Sequence, residues 1–366
     1  MKKLGFGCMR LPLNDKKNNG DIDYTQTAQM FDEFISEGFT YFDTAYMYHD
    51  GESERMVKKA LVSRHERESF ILASKMPVGM LEKPEDTDRI FEDQKEKCGV
   101  EYFDYYLLHA LNTTYYERAL EFGVFDYLAD KKEKGQIKRL GFSFHDSADV
   151  LERILTEQPQ LEFVQLQINY LDWEDERVQS RLCYEIARKH GVDIIVMEPV
   201  KGGALANVPK EVETMLKSAD SSFSVASWAV RFAASLEGVI MVLSGMSDLT
   251  QLRDNMSYMK ELVAFTENDY ELVKKSAEMI RNALMIDCTS CRYCTDHCPV
   301  DMPIPEYFSA YNRKVSGKAD FKKHFFSLTD KTTRAEECIE CGGCESACPQ
   351  HIAIIEKLKS MKDLIK

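Results

Sequence analysis

Apolar and polar positions alternate in blocks along most of this chain. From residue 38 to about 243, short β-rich runs are followed by longer segments whose apolar residues recur at helical spacing. The first pattern is typical of buried strands and the second of amphipathic helices. With one more run at the N-terminus, eight strands are predicted: Leu4–Arg10, Phe39–Asp43, Phe70–Lys75, Phe103–His109, Ile137–Ser143, Phe163–Asn169, Val192–Glu198 and Gly238–Leu243. Helices are predicted between them, for example over Tyr24–Glu37, Ser53–Arg64, Val124–Lys134 and Glu174–His190.

Eight strands with helical connections favour an α/β fold closed into a (β/α)8 TIM barrel. Parallel strands need both faces covered, and helical crossovers provide that cover. An open, doubly wound sheet is the alternative, but it usually carries a glycine-rich fingerprint after its first strand. Here Gly5 and Gly7 are followed by Cys8, Met9 and Arg10, so the fingerprint is absent. We therefore expect a barrel.

The pattern changes near residue 284. One amphipathic helix is predicted over Thr266–Ala283, and beyond it cysteine and proline cluster while strand patterns disappear. In a chain of 366 residues, a barrel of about 250 residues leaves room for a second, small module. We expect the barrel over residues 1–265, a linking helix over 266–284 and a mainly helical, ferredoxin-like domain over 285–366.

Composition narrows the class of protein. The chain carries 47 Lys and Arg against 61 Asp and Glu, a formal net charge of −14. Nucleic-acid binders show a concentrated basic excess, so nucleic acid is not expected as a partner. No run approaches ~18 uninterrupted apolar residues, and the start MKKLGFGCMRLP turns polar too early for a signal-peptide core. We expect a cytoplasmic protein without a membrane partner.

Eight of the eleven cysteines follow residue 287. They form two runs with the same Cx2Cx2Cx3CP spacing: Cys288, Cys291, Cys294 and Cys298, then Cys338, Cys341, Cys344 and Cys348. This is the spacing of bacterial ferredoxins, in which a tight turn presents three thiolates to one iron-sulfur cubane. The pattern predicts two 4Fe-4S clusters. Paired CxxC motifs also bind zinc, which is the alternative, and a purely structural cluster domain is another. The remaining thiols, Cys8, Cys98 and Cys183, are expected to be ordinary buried residues.

The resemblance to two-cluster ferredoxins implies that the last cysteine of each run serves the other cluster. One cluster would then take Cys288, Cys291 and Cys294 with Cys348, and the other Cys338, Cys341 and Cys344 with Cys298. The segment between the runs is longer than in the smallest ferredoxins. Its stretches Tyr307–Tyr311 and Phe321–Phe326 predict a helical insert, so this part of the chain resembles the helical dicluster domains of larger redox enzymes.

Four polar residues fall at the predicted C-terminal rim of the barrel, where such folds place their chemistry. Asp43, Lys75 and His109 each end a predicted strand, and Tyr48 follows Asp43 by five residues. Singly, each has an ordinary explanation as a helix cap, a packed core residue or a solvated charge. Their joint order resembles the catalytic tetrad of the aldo/keto reductases, and the resemblance covers roughly residues 1–260. It implies that Tyr48 protonates a carbonyl oxygen while hydride reaches the carbon.

Elementary acid-base chemistry supports these roles. A phenol has a pKa of ~10, and a neighbouring ammonium lowers it by favouring the phenolate. We expect Lys75 to act in this way on Tyr48, and Asp43 to orient Lys75. His109, as a neutral imidazole, would donate a hydrogen bond to the substrate oxygen.

The same resemblance implies positions for an NAD(P)H cofactor. Residues near the nicotinamide would be Ser143, Gln167, Asn169 and Met197, with Phe144 following Ser143 where many members have Asn. The turn containing Lys201 and Gly202 would lie near the pyrophosphate. The adenosine positions fall at Gly245, Met246, Ser247, Gln251 and Asn255. In many family members a Lys and an Arg hold the 2′-phosphate, and this chain has Gly245 and Gln251 at those positions. NADPH and NADH therefore both stay open as the cofactor. The alternative is that these residues are only parts of loops and helix caps.

Two functions of different classes follow from these motifs. The first is an oxidoreductase that reduces a small carbonyl substrate and is linked to iron-sulfur electron transfer, in an anaerobic host. Hydride transfer moves two electrons and each cluster carries one, so a flavin or an external ferredoxin or flavodoxin would complete the circuit. The second is a ferredoxin- or flavin-linked electron-transfer protein whose barrel binds nicotinamide weakly or not at all. A basic stretch would receive an acidic partner in that case: Arg313, Lys314, Lys318, Lys322 and Lys323. A silent scaffold barrel fits the intact tetrad poorly.

Overall fold

The computed structural model describes residues 2–15, 18–283, 286–315 and 334–361. Within them, eight parallel strands close into a barrel in chain order, which confirms the predicted fold class. The strands are β1 Leu4–Gly7, β2 Tyr41–Asp43, β3 Ile71–Met76, β4 Phe103–Leu111, β5 Ile137–Phe144, β6 Phe163–Gln167, β7 Asp193–Met197 and β8 Val239–Gly245. The barrel closes where β1 pairs in parallel with β8, with Leu4 opposite Val242.

Aromatic and branched side chains fill the lower part of the barrel interior. Tyr41, Tyr105 and Phe163 form a chain of edge-to-face contacts, with ring centroids 5.2 and 5.0 Å apart. Ile195 and Met241 belong to the same buried cluster. Because side chains two apart on a strand share a face, the residues that follow these positions by two also point inward, one layer nearer the carboxyl ends.

Helices cover the outside of the barrel and continue into the cysteine-rich region. They are α1 Tyr24–Ser36, α2 Ser53–Val57, α3 Asp86–Cys98, α4 Thr113–Glu121, α5 Val124–Glu133, α6 Ala148–Glu157, α7 Ser180–His190, α8 Lys210–Ala219, α9 Val225–Ser235, α10 Leu249–Met259, α11 Glu267–Asn282, α12 Tyr293–Asp296, α13 Ile304–Val315, α14 Gly343–Ser346 and α15 Ile354–Met361. Several begin at side-chain caps: Asp23 accepts from Gln26 N, and Thr266 and Asp269 form a capping box at α11. Such caps satisfy backbone N–H groups that have no partner inside the helix.

Several predicted elements end or begin elsewhere in the structure, and two of them serve as examples. The first strand stops at Gly7, and Cys8–Arg10 forms a 3-10 turn. The helix predicted over Glu174–His190 begins only at Ser180, because turns occupy the preceding residues. Among the insert stretches, Tyr307–Tyr311 lies within α13, whereas Phe321–Phe326 lies outside the described residues.

The chain forms two compact units that do not follow a single cut along the sequence. The first contains residues 1–168, 179–199 and 230–264, and the second contains 169–178, 200–229 and 265–366. The loops that follow β6 and β7 therefore belong to the same unit as the cysteine-rich region. None of the helices in the described part of the chain has the length and apolar character needed to cross a membrane.

Candidate active site and cysteine cavities

A buried ion pair lies at the carboxyl ends of β2 and β3. Lys75 Nζ is 2.5 Å from Asp43 Oδ1 and donates to the carbonyl of Thr44 at 2.8 Å. Asp43 ends β2 and Lys75 is the penultimate residue of β3, so the strand pairing brings them together. Gln165, on β6, donates to the other carboxylate oxygen at 3.3 Å. Sequence reasoning missed Gln165, although its position two residues before Gln167 gives it the same strand face.

Tyr48 is placed by a tight turn after β2. The two residues that follow it, His49 and Asp50, have left-handed φ angles of 53° and 56°. His49 holds the turn, because its Nε2 accepts from Leu11 N at 3.1 Å. As a result the Tyr48 hydroxyl lies 3.5 Å from Lys75 Nζ, and the ammonium is 5.0 Å from the centre of the phenol ring.

His109 completes the group from β4. Its ring lies edge-on to that of Tyr48, with centroids 5.9 Å apart. Burial, then Lys75 and His145, hold the pKa of His109 well below its ordinary value, so the imidazole is neutral at pH 7. A neutral imidazole has one N–H to donate. The Nδ1 atom is buried and has no hydrogen-bond partner within the described part of the chain.

The pKa of Tyr48 differs from the sequence-based expectation. Desolvation is the largest effect, the charges of Asp43 and Glu198 add to it, and together they raise the pKa well above its ordinary value. Lys75 does not reverse this, although its ammonium lies 3.5 Å from the hydroxyl. The phenol is therefore fully protonated at neutral pH. Its pKa is not lowered by Lys75, in contrast to the expectation from sequence.

A second buried network lies behind Lys75. Glu54 Oε1 accepts from Ser74 Oγ and Gln94 Nε2, both at 2.6 Å, and Gln94 also donates to the Lys75 carbonyl at 3.1 Å. Burial raises the pKa of Glu54 to about 7, and its Oε2 has no hydrogen-bond partner among the described residues. No sequence pattern predicts this network, since Glu54 and Gln94 look like ordinary helical surface residues.

Arg10 is a further residue that sequence reasoning did not single out as functional. Its side chain lies against Gly245, where an added Cβ would come within 3.0 Å of Arg10 Cδ. Its backbone carbonyl accepts from Ser247 Oγ at 2.9 Å. The charge of Arg10 also acts on Tyr48, where it opposes the overall rise in the pKa of the phenol.

The residues predicted near a nicotinamide lie at the ends of adjacent strands. Ser143 is on β5, Gln167 ends β6 and Met197 ends β7, with Gln167 opposite Met197 in the strand register. Ser143 Oγ accepts from Ala110 N at 2.7 Å. A hydroxyl and a carboxamide on neighbouring strands provide the mix of donor and acceptor that a nicotinamide carboxamide needs.

The predicted adenosine positions surround the start of α10. Gly245 ends β8, and Ser247 N donates to Gln251 Oε1 at 2.9 Å. Met246 and Asn255 are buried, and Asn255 Nδ2 donates to Ser244 Oγ at 2.8 Å. Ser247 and Gln251 are exposed, so these two are accessible for a ligand while Asn255 stabilises the loop from below.

Three other predicted cofactor residues lie in the second compact unit and contact residues there. Asn169 Nδ2 donates to Asp172 Oδ2 at 2.7 Å. The ammonium of Lys201 pairs with Asp172 Oδ1, and both side chains are almost wholly buried. Gly202 lies against the backbone of Thr289, where an added Cβ would come within 2.2 Å of the carbonyl oxygen. Within this unit the Lys201 ammonium faces protein groups rather than an open phosphate site.

The eight clustered cysteines line two cavities in the same unit. Cys288, Cys291, Cys294 and Cys348 line the first, and Cys298, Cys338, Cys341 and Cys344 line the second. These are the two sets of four that the ferredoxin resemblance implies. Gly343 makes the exchange of the fourth cysteine sterically feasible, because its missing side chain leaves room for the His297 carbonyl, 2.8 Å from where a Cβ would stand.

The cysteines of each set are arranged around a cavity and are not close enough together to form a site for a single metal ion. Tetrahedral zinc at a Zn–S distance of about 2.3 Å would bring four sulfurs within about 4 Å of one another. Across the described ranges, no three His, Cys, Asp or Glu side chains come together closely enough to hold one metal ion. Burial is the main reason that the pKa of Cys294 is raised and that the pKa of Cys344 is raised to about 11. Metal binding would therefore have to displace protons from these thiols.

Comparison with known proteins agrees with this geometry. Residues 3–278 match the profile of the aldo/keto reductase family, and residues 287–353 match that of the 4Fe-4S dicluster domain. The chain therefore belongs to the aldo/keto reductase family and carries a C-terminal 4Fe-4S dicluster domain. A probable aldo-keto reductase of Glycine max is 29% identical over 233 residues, which is 57% of this chain and 60% of that protein. The chain thus spans less than two thirds of that curated relative.

Solved structures show the same fold. An aldo-keto reductase of Bacillus halodurans in its holo form has 25% identity and a TM-score of 0.58, over 75% of this chain and 91% of that one. An aldo-keto reductase of Klebsiella pneumoniae in complex with NADPH has 17% identity and a TM-score of 0.59, over 75% and 90%. The second likeness is one of fold alone.

Proposed function

We propose that this protein is an oxidoreductase that reduces a small carbonyl compound with NAD(P)H and is linked to electron transfer through two 4Fe-4S clusters. The observation that carries the proposal is the arrangement of Asp43, Lys75, Tyr48 and His109, with the Tyr48 hydroxyl 3.5 Å from Lys75 Nζ. In an aldo/keto reductase, four side chains of these types surround the position at which the carbonyl oxygen of the substrate is protonated. Family membership supports oxidoreductase chemistry, and the substrate and the cofactor preference belong to the proposal.

The roles of the side chains follow from their contacts. A bound nicotinamide would supply hydride to the carbonyl carbon. Tyr48 holds a proton at its hydroxyl, and His109 offers a neutral N–H beside it. As negative charge develops on the carbonyl oxygen, the proton of Tyr48 moves to it and Lys75 stabilises the phenolate that remains. Asp43 fixes the position of the ammonium.

Ser143, Gln167 and Met197 are the residues that would hold the nicotinamide ring in this proposal, because they lie at successive strand ends. Ser247 and Gln251 would contact the adenosine, and Arg10 is the cation that an anionic group of the cofactor or substrate would meet. Lys201 and Asn169 do not belong to this proposed set, because their polar atoms contact Asp172 in the second unit.

Each set of four cysteines would hold one 4Fe-4S cluster. The donor set fits, because thiolates are the ligands of such clusters and the two sets line separate cavities. Each cluster would supply one-electron chemistry. A flavin or a ferredoxin would then reconcile the one-electron and two-electron steps.

A second function is favoured by one observation. Of the predicted cofactor residues, Lys201 and Asn169 are buried in contacts with Asp172, which supports a barrel with fewer ligands for a cofactor. An electron-transfer protein whose barrel binds nicotinamide weakly would have this property. The basic stretch invoked for its partner lies largely outside the described residues, with Arg313 exposed at its start.

The experiment is an anaerobic titration of the reconstituted full chain with NADPH and NADH, followed by simple aldehydes. Nicotinamide oxidation that depends on aldehyde supports the reductase. If neither nucleotide binds and only a reduced ferredoxin bleaches the cluster absorbance, the reductase is contradicted and the second function is favoured. Iron and sulfide analysis of the same sample tests cluster occupancy separately.

A further inference from the structure

A buried cation lies in the second compact unit, away from its surface. Lys201 Nζ pairs with Asp172 Oδ1 and donates to Gln350 Oε1 at 3.3 Å. The side chains of Lys201 and Asp172 are 1% and 2% exposed. Asn169 supports the carboxylate from the other side, at 2.7 Å. Three separate segments of the chain therefore meet at one ammonium.

This arrangement has a cost in stability. Lys201 has a left-handed φ of 47°, and Gly202 and Gly203 continue in that region with φ of 61° and 95°. A side chain with a Cβ is disfavoured there by about 1 kcal/mol or more. A buried ion pair seldom stabilises a fold more than apolar residues of the same volume would. Strain and desolvation at one residue point to a use for its charge.

The ammonium stands next to the first cysteine cavity. Gln350, which accepts from Lys201, follows Cys348 by two residues and lines that cavity together with Cys288 and Cys291. The loop carrying Lys201 also touches the cysteine segment directly, because Gly202 lies against the backbone of Thr289. The carboxamide oxygen of Gln350 is the atom that accepts from Lys201, and the carboxamide nitrogen is a donor.

The two cavities differ in charge. Arg292, which pairs with Glu306, is the charged side chain in the described lining of the first cavity, and Lys201, which pairs with Asp172, stands behind Gln350. In the second, the charged side chain among the described lining residues is Glu340, which pairs with Lys359 within a mostly apolar wall. The charged side chain that lines the cavity is therefore a cation for one set of cysteines and an anion for the other.

Reduction of an iron-sulfur cluster adds one negative charge, which a nearby cation or N–H donor stabilises. We propose that Lys201, acting through Gln350, is a positioning residue that gives the cluster held by Cys288, Cys291, Cys294 and Cys348 the higher reduction potential of the two. This inference rests on the proposed function, in which both cysteine sets hold clusters. Electrons entering the dicluster domain would then come to rest on the first cluster.

The test is a redox titration of the anaerobically reconstituted full chain, followed by electron paramagnetic resonance. In the double variant Lys201→Gln, Asp172→Asn, both charges are removed and no lone buried charge remains. We expect the higher of the two reduction potentials to fall by ~59 mV, which corresponds to a tenfold change in the equilibrium constant of a one-electron reduction. The lower potential should stay unchanged. The control removes an exposed pair, Lys134→Gln with Asp130→Asn, and should move neither potential.

Gln350→Leu provides a second, independent variant should the double variant fail to assemble. It keeps approximate shape, removes the amide and should shift the same potential in the same direction. Unchanged potentials in a variant that retains both clusters, or equal shifts of both, would overturn the inference. Wild-type protein holding fewer than two clusters by iron analysis would instead overturn the proposed function, and this inference with it.

Discussion

Lys75 Nζ lies 2.5 Å from Asp43 Oδ1 inside the barrel, and their side chains are only 1% and 4% exposed. Removing one partner leaves the other as an unpaired buried charge. We expect Lys75→Met to lower the free energy of unfolding by roughly 3–5 kcal/mol, measured by chemical denaturation. The double variant Lys75→Met, Asp43→Leu should recover most of that loss.

The same pair of variants separates stability from catalysis. If Lys75 stabilises a phenolate at Tyr48, the double variant stays inactive although it is folded. Recovery of aldehyde reduction together with stability would contradict the role of Lys75.

Tyr48 is the proposed proton donor, and Tyr46 provides a matched comparison two residues away. Tyr48→Phe should lower kcat/KM for aldehyde reduction by about 10²-fold or more, with the affinity for nicotinamide unchanged in fluorescence titration. Tyr46 instead lies beneath the ammonium of Lys97, 3.8 Å from its ring centre. Tyr46→Phe should therefore retain activity, and equal losses in both variants would argue against a specific role for Tyr48.

Glu54 links stability to pH. Its pKa rises from 4.5 to about 7 on folding, so the native state holds a proton that the unfolded chain releases. The contribution of this group is favourable below pH 4.5 and is lost as pH rises through about 7, with a total change of roughly 3 kcal/mol. Glu54→Gln mimics the protonated acid, and its stability relative to wild type should rise over that interval in denaturation curves taken at several pH values.

Glu52→Gln is the control for this comparison. Glu52 is an exposed neighbour that pairs with Arg55 at 3.2 Å. Its replacement should leave the pH dependence of unfolding as in wild type. A pH-independent difference between Glu54→Gln and wild type would show that Glu54 is ionised or solvated throughout.

The cysteine cavities predict an exchange of ligands between the two runs. Cys298 is the last cysteine of the first run but lines the cavity of Cys338, Cys341 and Cys344. Cys298→Ser should therefore perturb the second cluster and leave intact the one that responds to Lys201→Gln, Asp172→Asn. Cys348→Ser should do the reverse. Cys183→Ser, at a buried thiol outside both cavities, should leave iron content near about eight per chain.

Much of this architecture follows from local pattern. Each of the eight predicted strands is present, because alternating apolar runs and helical crossovers leave few other ways to bury parallel strands. Asp43, Lys75 and His109 come together since each stands near the carboxyl end of its strand. The family order of the tetrad supplied the fourth member, Tyr48.

Other features depend on contacts that sequence spacing cannot reveal. Lys201 donates a hydrogen bond to Gln350, which lies 149 residues later in the chain. The expectation from sequence was that Lys201 would contact a phosphate, whereas in the structure it contacts protein groups. The acidity of Tyr48 depends on how burial and the charge of Asp43 outweigh the effect of a nearby cation, a balance that requires coordinates. Glu54 carries no signal in sequence because helical glutamates are usually solvated.

The division into compact units has a practical consequence for anyone wishing to excise the barrel. The loops of residues 169–178 and 200–229 are interrupted parts of the barrel sequence, yet they pack with the cysteine-rich region. Truncation after residue 283 would remove Gln350, which accepts a hydrogen bond from Lys201, and Thr289, whose backbone packs against Gly202. The two modules recognised along the sequence are thus not separable pieces of the folded molecule, and neither should be expected to keep its native loops when produced alone.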